Sequence, residues 1–241
     1  MNTKIDWHYH ISGREIHQDL LNLHDYLNDM DEVYIMASYF PTTNSGISNY
    51  NLYHHLRKVE KVKLYLSLDF EHYFYQGYNE MVSLLIENRN KFIGIKIYTG
   101  YQNIDFESDQ FKMVMELAKK YDLCVMFHTG YLNHSKELFD PMYLDKVIRE
   151  NKNIKFILAH LGNPYLDKTA ELINRYDNVY TDISGLIDSK KDIDIAISYV
   201  KRICSKIKKE KVLFGTDYPV QSYERTKVLA EVANATWEKI G

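Results

Sequence analysis

Two histidines stand two residues apart near the start of the chain, in the run "IDWHYH" of residues 5–10. Alternate side chains of a strand share a face, so His8 and His10 are expected to point the same way, with Asp6 below them. Further groups able to bind a metal or move a proton close similar runs downstream: Lys96 in "GIKIY", His128 in "FHTG", His160 in "ILAHLG" and Asp217 in "FGTDYP". Period-2 spacing aligns Lys96 with Gly94, His128 with Cys124 and Met126, His160 with Phe156 and Leu158, and Asp217 with Leu213 and Gly215. Each polar residue thus sits one pleat above an apolar or small one, as an inward-pointing residue above a filled barrel layer would.

Imidazoles and a carboxylate gathered at one place are costly unless something uses them. A divalent cation would, and this donor set suits zinc, as well as manganese, iron(II) or nickel. Ligands drawn from separate strands, with no cysteine cluster, describe a catalytic site that leaves room for water. Taken singly, each group has a plainer account. A strand-end histidine such as His128 is commonly a hydrogen-bonded core residue, Lys96 could snorkel, and Asp217 could cap the turn before Pro219. The joint pattern argues otherwise, because independent strands would all have to place such groups at the same end by chance.

Those groups need a scaffold that brings strand ends together. Eight short runs rich in β-branched and aromatic residues recur, at 4–11, 32–40, 62–70, 92–100, 123–130, 155–162, 178–185 and 211–219. The stretches between them carry helical spacing, for example Ile16, Leu20, Leu23 and Leu27, or Phe111, Met115, Leu117 and Ala118, or Ile197, Val200, Ile203 and Ile207. Eight strand–helix alternations without a composition break predict one (β/α)8 TIM-type barrel over residues 1–241, with the active site at the C-terminal ends of the strands. A doubly wound open sheet also alternates, but it needs fewer strands and often shows a Gly-rich first turn, which this chain lacks.

Composition narrows the function classes. A chain of 241 residues, 45% hydrophobic and 26% charged, can bury a sizeable core. A net charge of −3 gives no general attraction to nucleic acid or to an acidic membrane. Two cysteines, Cys124 and Cys204, are not a disulfide framework, and no apolar leader or 18-residue apolar run occurs, so a cytoplasmic location is expected. The expected partner is a small-molecule substrate, with a homodimer left open.

The motifs "IDWHYH", "GIKIY", "FHTG", "ILAHLGNP", "VYTDISG" and "VLFGTDYP" resemble those of the amidohydrolase superfamily. The likeness is greatest to the amidohydrolase-related branch that includes aminocarboxymuconate-semialdehyde decarboxylase and the dicarboxylate lactonases. It runs over residues 5–219. The resemblance implies that His8, His10, His128 and Asp217 surround a metal, that His160 acts on substrate or water, and that Lys96 occupies the strand 4 place. In binuclear members that lysine is carboxylated and bridges two metals. One metal is usual in the branch this chain looks like, and the groups for a second are present. Two departures are a direct run from His10 into a helix near residue 14 and an end soon after the eighth helix; both suggest a compact member with an open mouth.

The expected chemistry is hydrolysis of an ester, lactone or amide by metal-activated water. Asp217 would take the proton and return it to the leaving group, and His160 would polarise the carbonyl or steady the oxyanion. Metal-dependent decarboxylation of an unsaturated keto-acid is the alternative. A related phosphoesterase would usually carry Glu in place of Lys96, and a ligand-binding barrel without catalysis would lack a ligand. Arg14, Tyr98, Tyr101 and Asn163 are candidates for substrate contact. So are Ser38, Tyr39, Tyr165, Asp182 and Ser184. For every one of these strand-end residues, Tyr98, Tyr101 and Asn163 included, turn chemistry or packing is the plainer account, and for Arg14 a solvated place in the first turn of the helix. His72 and His134 fall in loops expected at the mouth, and His17, His24, His54 and His55 on helix surfaces.

Overall fold

Among the described residues, eight parallel barrel strands alternate with eight α-helices. In chain order the strands are β1 (Ile5–His10), β2 (Glu32–Met36), β3 (Val62–Leu66), β4 (Phe92–Ile97), β5 (Cys124–Phe127), β6 (Phe156–Leu158), β7 (Val179–Asp182) and β8 (Val212–Leu213). The helices are α1 (Ile16–Tyr26), α2 (Asn49–Leu56), α3 (Phe74–Asn88), α4 (Asp109–Lys120), α5 (Asp145–Glu150), α6 (Leu166–Arg175), α7 (Ile193–Cys204) and α8 (Tyr223–Ala233). This computed structural model describes residues 4–11, 13–37, 46–132, 138–186, 193–235 and 240. Ser38, Tyr39 and His134 lie outside the described residues.

Each strand pairs in parallel with the next in the chain. The ring is closed by backbone bonds between its first and last strands. Trp7 N–H donates to Phe214 O at 3.0 Å, His10 N–H to Tyr218 O at 3.0 Å and Asp217 N–H to His8 O at 2.6 Å. The architecture is therefore the (β/α)8 barrel that the alternation predicts.

Two apolar layers follow from strand alternation. Ile5, Trp7, Tyr34, Met36, Tyr65, Cys124, Met126, Ile157, Ala159 and Leu213 fill the barrel interior. The opposite faces, such as Val33, Ile35, Ile95, Ile97, Val125, Phe127, Phe156 and Leu158, pack outward against the helices. The helices answer with matching stripes: α4 buries Phe111, Val114, Met115, Leu117 and Ala118, and α7 buries Ala196, Val200 and Ile203. Serine hydroxyls cap α2, α4 and α8, with Ser48, Ser108 and Ser222 accepting from Asn51, Phe111 and Arg225 N–H.

Two of the alignments expected from strict alternation do not hold. The β1 register shifts between Asp6 and Tyr9, as a bulge does. Trp7 and His8 can then both face inward, while Asp6 turns outward to accept from the Tyr26 hydroxyl of α1 at 2.9 Å. Asp6 is thus a buried clasp beside the seam and does not lie beneath the histidines. In β6, Ile157 and Ala159 face inward, while Phe156 and Leu158 face the helices. His160 reaches the mouth because its backbone leaves the strand, with φ 63° in the left-handed region.

Candidate metal centre

Three ligand atoms converge where the first and last strands meet. His8 Nε2 lies 3.2 Å from His10 Nε2 and 3.4 Å from Asp217 Oδ1, and His10 Nε2 lies 3.1 Å from that same oxygen. Donors around a tetrahedral zinc at about 2.0–2.1 Å stand about 3.3 Å apart, so this nearly equilateral triangle fits one cation. The β1 bulge and the alternation past it aim both imidazoles inward. Asp217 arrives through a left-handed residue, φ 58°, at the end of the β8 segment.

The chemistry of His8 is fixed by what surrounds it. Its Nδ1 lies 2.8 Å from Asp182 Oδ2 at the end of β7, and Lys96 Nζ lies 3.4 Å from its Nε2. Burial, and next the Lys96 charge, push the imidazole down to about 3, so it stays neutral near pH 7. Burial also pushes Lys96 down to about 8. Burial alone would raise the Asp217 carboxyl. The hydrogen bond from His10 and the neighbouring imidazoles outweigh it and hold the group below the usual carboxylate range.

His128 and His160 form a second pair beside the triangle. His128 Nε2 lies 2.8 Å from Tyr131 O, His160 Nδ1 lies 3.0 Å from Ser184 O, and the remaining nitrogens face each other at 3.2 Å. Carbonyl oxygens only accept, so each ring carries its proton on the carbonyl side. Two lone pairs then meet, and the pair is satisfied only when a proton or cation lies between them. Burial lowers both imidazoles and disfavours the proton. Among the described residues, the three-donor clusters are His8–His10–Asp217, His8–His160–Asp182 and the surface group Asp69–Glu71–His72, none of which includes His128.

The other sequence candidates are placed unevenly. Tyr101 packs edge-on against the His128 ring, with centroids 4.8 Å apart. Asn163 lines a hollow of about 60 Å³ together with His128, His160 and Asp217. Tyr98 donates its hydroxyl to Ala37 O at 2.9 Å and lays its ring beside the Lys96 ammonium. Arg14 is exposed in the turn before α1, and His72 is exposed beside Asp69. A larger hollow, about 620 Å³, opens beyond β2 and β3 with Ser48, Ser67, Asp69, Gln76 and Glu80 in its lining. Asp182 and Ser184, for which turn chemistry is the plainer account in the sequence, contact the histidines of the cluster. Both are fully buried, and Ser184 Oγ lies 3.0 Å from each of His8 Nδ1 and His160 Nδ1. Their sequence signal was period-2 placement at the end of a strand pointing into the mouth.

The family model described as amidohydrolase matches residues 82–236, more than half of the chain. The chain belongs to the amidohydrolase family. A comparison with curated proteins finds no match. Among solved structures, this amidohydrolase-family barrel is similar to a probable 2-pyrone-4,6-dicarboxylic acid hydrolase from Acinetobacter baumannii with citric acid bound. The TM-score is 0.68 and the identity 17%, over 97% of this chain and 93% of that one. It is also similar to a dihydroxybenzoic acid decarboxylase from Polaromonas sp. JS666 with bound manganese and the inhibitor 2-nitroresorcinol, with TM-score 0.60 and 13% identity over 99% and 95% of the two chains. A third is an uncharacterized TIM-barrel protein from Bordetella bronchiseptica, with TM-score 0.67 and 14% identity over 90% and 77%. At these identities the likeness shows the fold. No helix of this amidohydrolase-family protein, among its described residues, is long and apolar enough to cross a membrane.

Proposed function

We propose that this chain is a metal-dependent hydrolase of a small-molecule ester, lactone or amide, with His8, His10 and Asp217 holding one divalent cation, zinc first among the candidates. The observation that supports the reading is the triangle of donor atoms with edges of 3.1 to 3.4 Å, assembled from both ends of the chain. His128 and Lys96 stand at its border. A cation shared with them would also relieve the facing lone pairs of His128 and His160. Lys96, brought to about 8 by burial, offers a neutral amine more readily than an exposed lysine and could be carboxylated to serve a second ion. Bound here, a divalent cation supplies a water whose pKa is lowered to about 7 in the zinc case.

The remaining chemistry falls to side chains of the chain. The carboxylate of Asp217 is kept ionised and can accept a proton from water at the centre. His160 presents a bare Nε2, because its Nδ1 proton is held by Ser184 O. It therefore acts as an acceptor first and as a donor to the leaving group only after taking a proton, rather than polarising the carbonyl directly. Tyr101 and Asn163 edge the small hollow and would contact the reacting part of the substrate. The same walls could release carbon dioxide from a keto-acid, and the structural neighbours include proteins described as a hydrolase and as a decarboxylase.

The experiment is metal analysis of untagged protein, then chelation and re-addition of zinc, manganese, iron(II) or nickel against a panel of lactones, esters and amides. Proton release is read beside carbon dioxide release. Metal-restored proton release without carbon dioxide supports hydrolysis, and metal-restored carbon dioxide alone supports the alternative. His8→Ala should lose the metal. His160→Ala should keep it and lose about 10²–10⁴-fold in kcat. Full metal occupancy in His8→Ala, or turnover untouched by chelation, would overturn the reading.

A further inference from the structure

We propose that Asp182 is a positioning residue that dictates the tautomer of His8, and so keeps the cation-facing nitrogen of that ring free of its proton. The proposal rests on the metal-dependent reading above.

The two oxygens of Asp182 are not equivalent. Oδ1 accepts from His160 N–H at 2.9 Å, from Ser184 N–H at 3.2 Å and from the Ser184 hydroxyl. Oδ2 faces His8 Nδ1 at 2.8 Å, and among the described residues no other donor reaches it. An ionised carboxylate only accepts, so the His8 proton must sit on Nδ1. Nε2 is then bare, and it is the atom aimed at His10, Asp217 and Lys96. Ser184 reinforces the choice. Its hydroxyl hydrogen goes to Asp182, so its oxygen can only accept from the two imidazoles that flank it, His8 and His160. Asp182 and Ser184 are both fully buried, which denies water the chance to substitute.

The asymmetry makes the isosteric variant informative. In Asp182→Asn, three donors crowd one side of the group and claim the amide oxygen. The amide nitrogen must then take the place of Oδ2 and donate to His8 Nδ1. His8 is forced to carry its proton on Nε2, where a cation needs the lone pair. Size and packing are unchanged, so loss of metal would follow from the tautomer and not from a cavity. Ser184→Ala removes one acceptor but leaves the Asp182 carboxylate in place, and should leave the His8 tautomer as it is.

Two measurements on the full chain test this. Zinc affinity is read by competition with a chromogenic chelator, and the histidine tautomers of metal-free protein are read from long-range ¹H–¹⁵N spectra. Wild type and Ser184→Ala should show His8 protonated on Nδ1. Asp182→Asn should show it protonated on Nε2 and bind zinc about 10–100-fold more weakly, the loss typical when the partner of a metal-ligating histidine is removed. An Asp182→Asn protein that binds zinc as tightly as wild type, or that keeps the Nδ1 proton, overturns the proposal. So does a wild-type His8 protonated on Nε2, a readout that stands even if the variant does not fold. A wild type that binds no zinc would instead sink the metal reading, while its tautomer spectrum still decides the role of Asp182.

Discussion

His160 and Asp217 both adopt left-handed backbone angles, and both are held there by what lies behind them. Left-handed non-glycine residues cost about 1–3 kcal/mol each and persist where surroundings over-determine them. Here Asp182 takes the His160 N–H at 2.9 Å, and the His8 carbonyl takes the Asp217 N–H at 2.6 Å. Gly185 completes the mould. It has φ +62°, and a Cβ there would stand 2.5 Å from Asp217 Oδ2 and 2.9 Å from His160 Nδ1. Gly185→Ala must therefore push aside the two groups assigned to proton transfer. We expect kcat to fall about 100-fold, as for a displacement of about 1 Å at a reacting group, and zinc affinity to fall with it, because the displaced Asp217 carboxylate is also a corner of the donor triangle. Kinetics on the substrate found by the panel, beside a zinc titration, would check it, and unchanged kcat would remove Gly185 from the site. These residues also mark where alternation stops being a guide. Period-2 counting gives the right companions for His128, whose strand β5 is regular, and for Lys96, because the register shift in β4 falls at Ile93, before the counted pair Gly94 and Lys96. It gives the wrong face for Asp6, where a bulge intervenes, and the wrong companions for His160, where the chain turns left-handed.

All eight strands and the helical stretches read for spacing were legible as elements, because each strand buries one face in the barrel and the other under helices. The strand ends were not. The apolar runs extend past the regular ladder in most cases: the sixth reads to residue 162 and the ladder stops at Leu158, and the eighth reads to 219 and the ladder stops at Leu213. The overrun is the site itself, apolar enough to be buried but irregular because it must aim side chains at one point. The hairpin formed by Gly130–Tyr131 and Leu138–Phe139 had no period-2 signal at all, since its strands are two residues long. That hairpin ties two strand ends together. Tyr131 N–H donates to Asn163 O at 3.0 Å, and Tyr131 O in turn receives His128 Nε2–H at 2.8 Å. Gly130 permits the approach, having φ +82° and a position where a Cβ would fall 2.0 Å from Asn163 O. Gly130→Ala should part the two loops, break the Tyr131–Asn163 bond and loosen the acceptor that orients His128. A loss of about 2–4 kcal/mol is expected in urea unfolding, from backbone strain plus a buried bond. A variant with wild-type midpoint would show that the loops are not coupled in this way.

At the scale of the molecule, barrel closure and site assembly are one event. The closing bonds join residues 7–10 to 214–218, and the three donor atoms of the triangle come from that same seam. Asp6 locks it from behind, accepting from His8 N–H, Thr216 N–H, the Thr216 hydroxyl and the Tyr26 hydroxyl. The last ladder is short, since β8 contributes only Val212 and Leu213 to its pairing with β7. The seam itself is closed by those few backbone bonds and an isolated bridge between Tyr9 and Tyr218, not by a regular ladder, and a cation gripping His8, His10 and Asp217 would staple the first strand to the last. Binding to the folded state alone stabilises it by about 2.7 kcal/mol at a free metal concentration 100 times Kd. For a chain of 241 residues, each kcal/mol moves the melting temperature by about 2–4 °C, so saturating zinc should raise it by about 5–11 °C. Thermal unfolding in chelator and in buffered zinc measures the shift. His8→Ala should melt at one temperature in both buffers, because its triangle has lost a corner. An equal shift in wild type and His8→Ala would mean that metal binds elsewhere on the surface. No shift in either would mean that the seam closes without it.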